Sequence, residues 1–248
     1  VPPTDWGWLI TPSELCSWTL ERTPDWLAVN KPAGVVCHPS KHGPWSSLVG
    51  AAREWLGEAV LHMPSRLDRE TSGVVVLVRR RSLASAMQRA IQNGRARKQY
   101  LAILEGELRQ PLEVDLPIGR EEGSRVFLKQ GVRADGYPAR TRFTPLEHRR
   151  GKTLARVEPE TGRLHQIRVH AAAIGRPVCG DKLYGPDETL FLDFLRHGWT
   201  EKHEHLLGAA RQMLHAERIS FYLPCGEVEF HAPLDAGMQA FWDSLRSR

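Results

Sequence analysis

The sequence predicts an α+β fold, a mixed and largely antiparallel central sheet with flanking helices, and three observations carry that prediction. Strand-like runs are short, numerous and separated by Gly and Pro. Helical spacing is confined to a few segments. The two patterns do not alternate one for one, as a parallel doubly wound sheet requires. The 248 residues, 41% hydrophobic and 25% charged, are ordinary globular composition and suffice to bury a sizeable core, in one large domain or two small ones.

Residues 1–20 hold Pro2, Pro3 and Pro12 among isolated tryptophans and read as an arm lying on the domain that follows, 21–248. Trp26-Leu27-Ala28-Val29-Asn30 is a strand that Lys31-Pro32-Ala33-Gly34 breaks. Val74 to Val78 is a continuous apolar run bounded by Gly73 and three arginines, the pattern of a strand buried on both faces in mid-sheet. Ser82 is placed to cap a helix carrying Leu83, Met87, Ala90 and Ile91 at helical spacing, and Asn93-Gly94 stops it. Strand character returns at 100–104, 114–118, 125–129, 139–146 and 153–158. Residues 164–174 are helical, with Leu164, Ile167, Ala171 and Ile174 on one face and Gly175 closing the segment. Residues 187–210 mix helical signals with several histidines and read as an insertion. Residues 214–223 and 228–230 flank Pro224-Cys225-Gly226 as a hairpin, and Asp235 begins a final amphipathic helix. There is no internal repeat and no low-complexity tract.

The formal charge of +5 favours a polyanionic partner, and its distribution is more informative than its total. Between Ser65 and Tyr100 nine Arg and Lys face only Asp68 and Glu70, a local +7 that suits a phosphate-tracking surface. Cys16, Cys37, Cys179 and Cys225 show no CxxC pairing, so neither a zinc site nor a disulfide framework is expected. No stretch has the length of a membrane helix, and the start lacks a leader pattern. A soluble, cytoplasmic chain without membrane association is expected. Phosphate-loop, Gly-x-Gly-x-x-Gly and Gly-x-Ser-x-Gly signatures are missing, so no nucleotide cofactor or nucleophilic serine is indicated. His203/His205 and His38/His42 lack a third partner at recognisable spacing, and no metal is expected.

The densest chemical cluster is Ser65-Arg66-Leu67-Asp68-Arg69-Glu70-Thr71-Ser72-Gly73, just before the apolar strand. A rigid strand presents such a loop well, and arginines on either side favour the carboxylate form of Asp68 that a nucleophile or base must have. Read blandly, the same cluster is a solvated turn with local ion pairs. The second cluster, Thr161-Gly162-Arg163-Leu164-His165-Gln166-Ile167-Arg168-Val169-His170, sets His165 and Arg168 three residues apart, on one helix face away from the apolar stripe. That face suits a phosphate or a buried carboxylate, and equally suits solvent. Tyr100 follows Arg95-Ala96-Arg97-Lys98, so an aromatic ring lies beside cations, as in sites that stack bases; the alternative is a half-buried core tyrosine.

In this order, the segments Val29-Asn30-Lys31-Pro32-Ala33-Gly34-Val35, Arg66 to Gly73, Lys98-Gln99-Tyr100, Thr161 to His170 and Gly180-Asp181-Lys182-Leu183-Tyr184-Gly185 resemble the RluA-type pseudouridine synthases. The resemblance spans most of the chain, and its specificity lies in the combination. It implies a pseudouridine synthase catalytic domain over 21–248, an RNA substrate (rRNA or tRNA), no cofactor and no obligatory protein partner. It implies Asp68 as the catalytic nucleophile, Tyr100 stacked on the target uracil and Arg168 paired with the aspartate. Arg66 is associated with the space left by the departing uridine, and Arg69, Thr71, Arg163, His165, Gln166, Lys31, Arg95 and Arg97 complete the expected substrate-binding set. Many members carry histidine where this chain has Ser65. Too few residues precede the Trp26 strand for the accessory S4 module, so recognition is expected to fall to the catalytic domain.

The reaction implied isomerises uridine within RNA: the N1–C1′ bond breaks, the uracil rotates, and C5 is joined to C1′. Asp68 has three routes, through C1′, through C6 or through a sugar proton. Two other classes compete, a catalytically silent RNA-binding protein of the same fold and a hydrolase of glycosidic bonds, for which Glu70 is the nearest second carboxylate.

Overall fold

The computed structural model describes residues 8–38, 43–224 and 226–246. In chain order its elements are α1 (Pro12–Trp18), β1 (Thr19–Arg22), β2 (Trp26–Lys31), α2 (Leu48–Leu56), β3 (Ser72–Val78), α3 (Arg81–Gln92), β4 (Ala96–Glu105), β5 (Leu112–Asp115), β6 (Ile118–Arg120), β7 (Gln130–Val132), β8 (Arg140–Arg149), β9 (Lys152–Pro159), α4 (Gln166–Ala173), α5 (Thr189–His197), α6 (Glu201–Leu207), β10 (Leu214–Leu223), β11 (Gly226–His231) and α7 (Ala236–Ser244). Two compact units result, one from residues up to 97 with 215–235, the other from 98–214 with residues from 236 on. Among the described residues no helix is long and apolar enough to cross a membrane.

In the first unit the strand order is β1-β2-β3-β10-β11. All neighbours are antiparallel except β3 and β10, which run parallel through Ser72/His215 and Gly73/Ala216. Every residue of β3 is buried, as the continuous apolar run predicts. The hairpin of β10 and β11 also follows the prediction; its turn residue Cys225 lies outside the described residues.

Residues 8–20 are more than an arm. Thr11 and Glu14 form a capping box, Pro12 opens α1, and Ile10 and Leu15 join Leu27, Val29, Leu48, Ala51, Val75 and Leu77 in one core cluster. A seven-residue helix does not persist alone. Burying Ile10 and Leu15, each worth about 1.5–3 kcal/mol, is what holds it. Pro2 and Pro3 lie outside the described residues.

The expected Ser82 cap is corrected. Arg80 is the N-cap of α3, without a side-chain capping bond, and Ser82 sits inside the first turn. The buried spacing of Ala84, Met87 and Ala90 sets where this helix lies, and packing overrides the local cap preference. Asn93 and left-handed Gly94 end it as predicted.

The second unit carries an antiparallel run β4-β9-β8-β5 and a separate β6-β7 ribbon. The strand expected at 114–118 is broken into β5 and β6. Pro117 has no N–H to donate and separates them. Residues 125–129 are not a strand; Phe127 and Leu128 stand out into solvent, and the pairing segment β7 follows them. Residues 187–210 hold α5 and α6, where His203 is fully buried with Nδ1 bonded to Thr200 and Nε2 to the Leu190 carbonyl. His203 is thereby a capping residue, and His42, the other histidine considered with His38, lies outside the described residues.

Candidate active site

The first set of site residues belongs to the loop that leads into β3. Its backbone is held from both sides of Asp68. Gly34 N–H donates to the Arg69 carbonyl at 2.8 Å, and Lys31 Nζ donates to the same carbonyl at 3.1 Å. On the other side Cys37 Sγ donates to the Leu67 carbonyl at 3.4 Å, and the Leu67 side chain packs on the core of this unit. Thr71 N–H closes the turn onto the Asp68 carbonyl at 3.2 Å. Asp68, half-buried, therefore sits between two carbonyls clamped by residues 31–37. This is the physical reason why an Asn-Lys-Pro-Ala-Gly-Val stretch accompanies an Arg-Leu-Asp stretch more than thirty residues later.

Gly73 fixes the far end. It has φ +117°, and a Cβ there would lie 2.2 Å from the Ala216 carbonyl oxygen. Only glycine lets β3 close onto β10 at that point. Behind it the buried Ser72 Oγ and His215 Nδ1 are 3.0 Å apart.

Lys31 is fully buried, and its ammonium also donates to the Pro32 and Val35 carbonyls, both at 2.9 Å. Thr71 is 2% exposed. Both side chains are thus packed within the Asp68 loop, which Lys31 holds through its carbonyl bonds. Arg66 is exposed, and Arg69 turns its Nε onto the Gly34 carbonyl at 3.2 Å. The local charge is also smaller than counted along the chain, because Arg79 pairs with Glu58 and Arg80 with Asp25. Arg95 and Arg97 remain exposed, in a notch of about 410 Å³ where the Arg97 guanidinium lies 5.3 Å from the Tyr222 ring.

The second set lies in the other unit. Tyr100, half-buried, pairs with Val157 across β4 and β9. The helix expected from 164 begins at Gln166 instead. His165 precedes it with φ 56° and ψ 17°, a left-handed conformation that a non-glycine residue holds only where its surroundings impose it. Gln166 imposes it: its Oε1 accepts from Thr161 Oγ1 at 2.7 Å and from Arg163 N–H at 3.0 Å, and its Nε2 donates to the Arg140 carbonyl and Thr141 Oγ1, both at 2.9 Å. With its amide engaged at both ends and 4% exposure, Gln166 braces the turn.

His165 and Arg168 do not share a helix face, yet one ring joins them. Tyr184 Oη lies 2.8 Å from His165 Nδ1 and accepts from Gln130 N–H at 2.8 Å, while the Arg168 guanidinium covers the Tyr184 ring at 4.9 Å. The Arg168 fork is set by Asp181: Nε donates to Oδ2 at 2.7 Å and Nη2 to Oδ1 at 2.9 Å. Asp181 Oδ1 also accepts from the N–H groups of Leu183 and Tyr184. Burial alone raises the Asp181 carboxyl; the Arg168 charge and these hydrogen bonds outweigh it and hold the group below the usual carboxylate range. Asp181 and Tyr184 were not assigned roles from sequence, although both lie in the Gly180 to Gly185 segment of the family pattern.

The site thus offers a carboxylate on a braced loop at the head of a buried strand, with arginine-rich segments around it in sequence. The comparisons name it more closely: the chain belongs to the RNA pseudouridylate synthase family, isomerases that act on RNA, whose profile matches residues 25–173. It is 36% identical over 227 residues to an uncharacterized RNA pseudouridine synthase of Chloroflexus aurantiacus, covering 88% of this chain and 66% of that protein. It is likewise 36% identical over 226 residues to ribosomal large subunit pseudouridine synthase D of Xanthomonas campestris pv. campestris, covering 89% and 66%. The chain thus spans about two thirds of the length of these relatives. In fold it is similar to the solved human RNA pseudouridylate synthase domain containing 4, with TM-score 0.73, 23% identity, and coverage of 94% and 95%.

Proposed function

We propose that the chain isomerises uridine to pseudouridine in RNA, with Asp68 as the nucleophile. The observation that carries the reading is the clamp on the carbonyls flanking Asp68, which holds the carboxylate's backbone in one place at the start of β3. Positioning of this kind is what a reaction at a single sugar or ring carbon demands.

The three routes open to Asp68 share one requirement, an ionised carboxylate. The family resemblance gives Arg168 the role of favouring that charge, and Asp181 sets the Arg168 fork. Tyr100 stacks on the extruded uracil, and Arg66 takes the space it leaves. Extrusion of a paired base costs about a few kcal/mol, which phosphate contacts from exposed arginines, Arg95 and Arg97 among them, offset. Arg163 and His165 extend those contacts from the second unit. In the net reaction N1–C1′ is broken, C5–C1′ is made, a proton leaves C5 and a proton is gained at N1, so the formula of the nucleotide is unchanged.

Relatives named ribosomal large subunit pseudouridine synthase D favour large-subunit ribosomal RNA over transfer RNA as the substrate, and hence a cytoplasmic place of action. The test is incubation of the protein with uridine-labelled ribosomal and transfer RNA followed by nucleoside analysis. Pseudouridine in ribosomal RNA supports the reading; free uracil would make the protein a hydrolase, and unchanged uridine in every RNA would reduce it to a binder.

A further inference from the structure

Apart from the Gln130 N–H bonded to Tyr184, the segment between β5 and β8 takes no part in the braces described above. It presents large apolar side chains to solvent, where a monomeric surface normally has few. Phe127 and Tyr137 are each 70% exposed. Each has a guanidinium laid on it, Arg120 at 4.2 Å from the Phe127 ring centre and Arg163 at 5.6 Å from that of Tyr137. Neighbouring arginines are used differently. Arg133 is tied to Glu122 and Asp135, and Arg140 to Asp115.

The Tyr137 ring stands on paired backbone, and the Phe127 ring, in a turn, meets a strand through its arginine. Tyr137 exchanges two hydrogen bonds with Ile118 of β6, 2.9 and 2.8 Å, and Arg120 lies two residues further along the same strand. Ile118, which pairs with Tyr137, and Arg120, whose guanidinium lies on Phe127, are therefore about 7 Å apart along β6. Arg163 also donates Nε to the Pro138 carbonyl at 3.0 Å, which ties the Tyr137 ring to the turn carrying His165 and Arg168 in the same unit. The platform is continuous with that turn.

We propose that Phe127 and Tyr137 stack on unpaired bases of the RNA, with Arg120 and Arg163 holding the rings and meeting the adjoining phosphates. This rests on the RNA reading above and deepens it, by naming a contact to nucleotides other than the target. An aromatic face backed by a cation accepts any base, because every base has a π-face, whereas a fully paired helix keeps its bases stacked on one another and offers none. The platform therefore selects single-stranded over paired RNA. An apolar protein partner would be a poorer match for two arginines that pair with no carboxylate among the described residues.

The test compares binding of a short oligouridylate and of a blunt RNA duplex of equal length by fluorescence anisotropy. Phe127→Ala and Tyr137→Ala should each weaken single-strand binding by about five- to a hundredfold, the effect of one lost base stack, and leave duplex binding within about twofold. Phe127→Tyr and Tyr137→Phe keep the rings and should keep the affinity. Parental single-strand affinity in the double alanine variant, equal loss on both RNAs, or no single-strand binding by the parent would each overturn the platform. Pseudouridine formation by the parent is scored separately. Its absence would remove the enzymatic reading, while the binding comparison would still decide on the platform.

Discussion

Asp181→Asn tests the support of the arginine on which the proposed ionisation depends. Asp181 is fully buried and accepts four hydrogen bonds, two from Arg168 and two from backbone N–H groups. Asparagine can keep the bonds to its remaining oxygen, but its NH2 would then face Arg168 Nε, donor against donor, and the counter-charge would be gone. Breaking a buried pair in this way costs about 3–5 kcal/mol. For a chain of this size that lowers Tm by about 6–20 °C. The pH dependence has a fixed sign. Because the folded carboxyl lies below its ordinary range, its stabilisation is complete above the unfolded value of about 3.9 and is lost as pH falls through the folded one. Urea unfolding of parent and variant should therefore show a gap that is constant at neutral pH and narrows only below about pH 4. A variant within about 1 kcal/mol of the parent at neutral pH would refute the reasoning, since a buried charge cannot lose its partner at no cost.

Three further outcomes are expected. Lys31→Met removes the ammonium bonded to the carbonyls of Pro32, Val35 and Arg69 and leaves the Arg69 carbonyl with only its Gly34 N–H, so kcat should fall by about tenfold or more while RNA affinity stays within about twofold; parental kcat would remove Lys31 from the positioning of Asp68. Gly73→Ala forces a Cβ to within 2.2 Å of the Ala216 carbonyl and should cost about 3 kcal/mol or more, read as a lower Tm; an unchanged Tm would show that β3 and β10 can part there freely. His170 is held neutral, its pKa lowered by burial, with Nδ1 2.8 Å from Thr141 Oγ1 and Nε2 2.9 Å from the Leu116 carbonyl. Below about pH 6.5 the unfolded chain takes a proton that the folded one declines, so urea midpoints should drop from there toward the folded pKa; His170→Gln should flatten that window, and equal slopes would contradict it.

What was legible in the sequence was whatever rests on local pattern. The apolar run at Val74–Val78 could only be a central strand, Asn93-Gly94 could only end a helix, and the hairpin of β10 and β11 followed from its turn residues. What was not legible depended on partners distant in the chain. Ser82 has the chemistry of a cap, yet burial of Ala84, Met87 and Ala90 placed the helix start two residues earlier. Nothing local shows that three carbonyls gather around the Lys31 ammonium, because one of them, that of Arg69, comes from 38 residues away. Gln166 reads as a polar contact until both ends of its amide are found engaged. Asp181 lies thirteen residues beyond Arg168, at no helical or strand spacing from it, so no periodicity could have joined them. The left-handed His165 had no glycine or asparagine to announce it.

The most direct measurement of the central claim is single-turnover pseudouridine formation by Asp68→Asn beside the parent, with RNA affinity measured on the same preparations. Asparagine keeps the shape of the side chain and leaves the backbone clamp on residues 67 and 69 untouched, so binding should stay within about twofold while product formation falls by about a thousandfold or more. Residual turnover within about tenfold of the parent, at unchanged affinity, would show that the carboxylate of Asp68 is not the group that performs the chemistry.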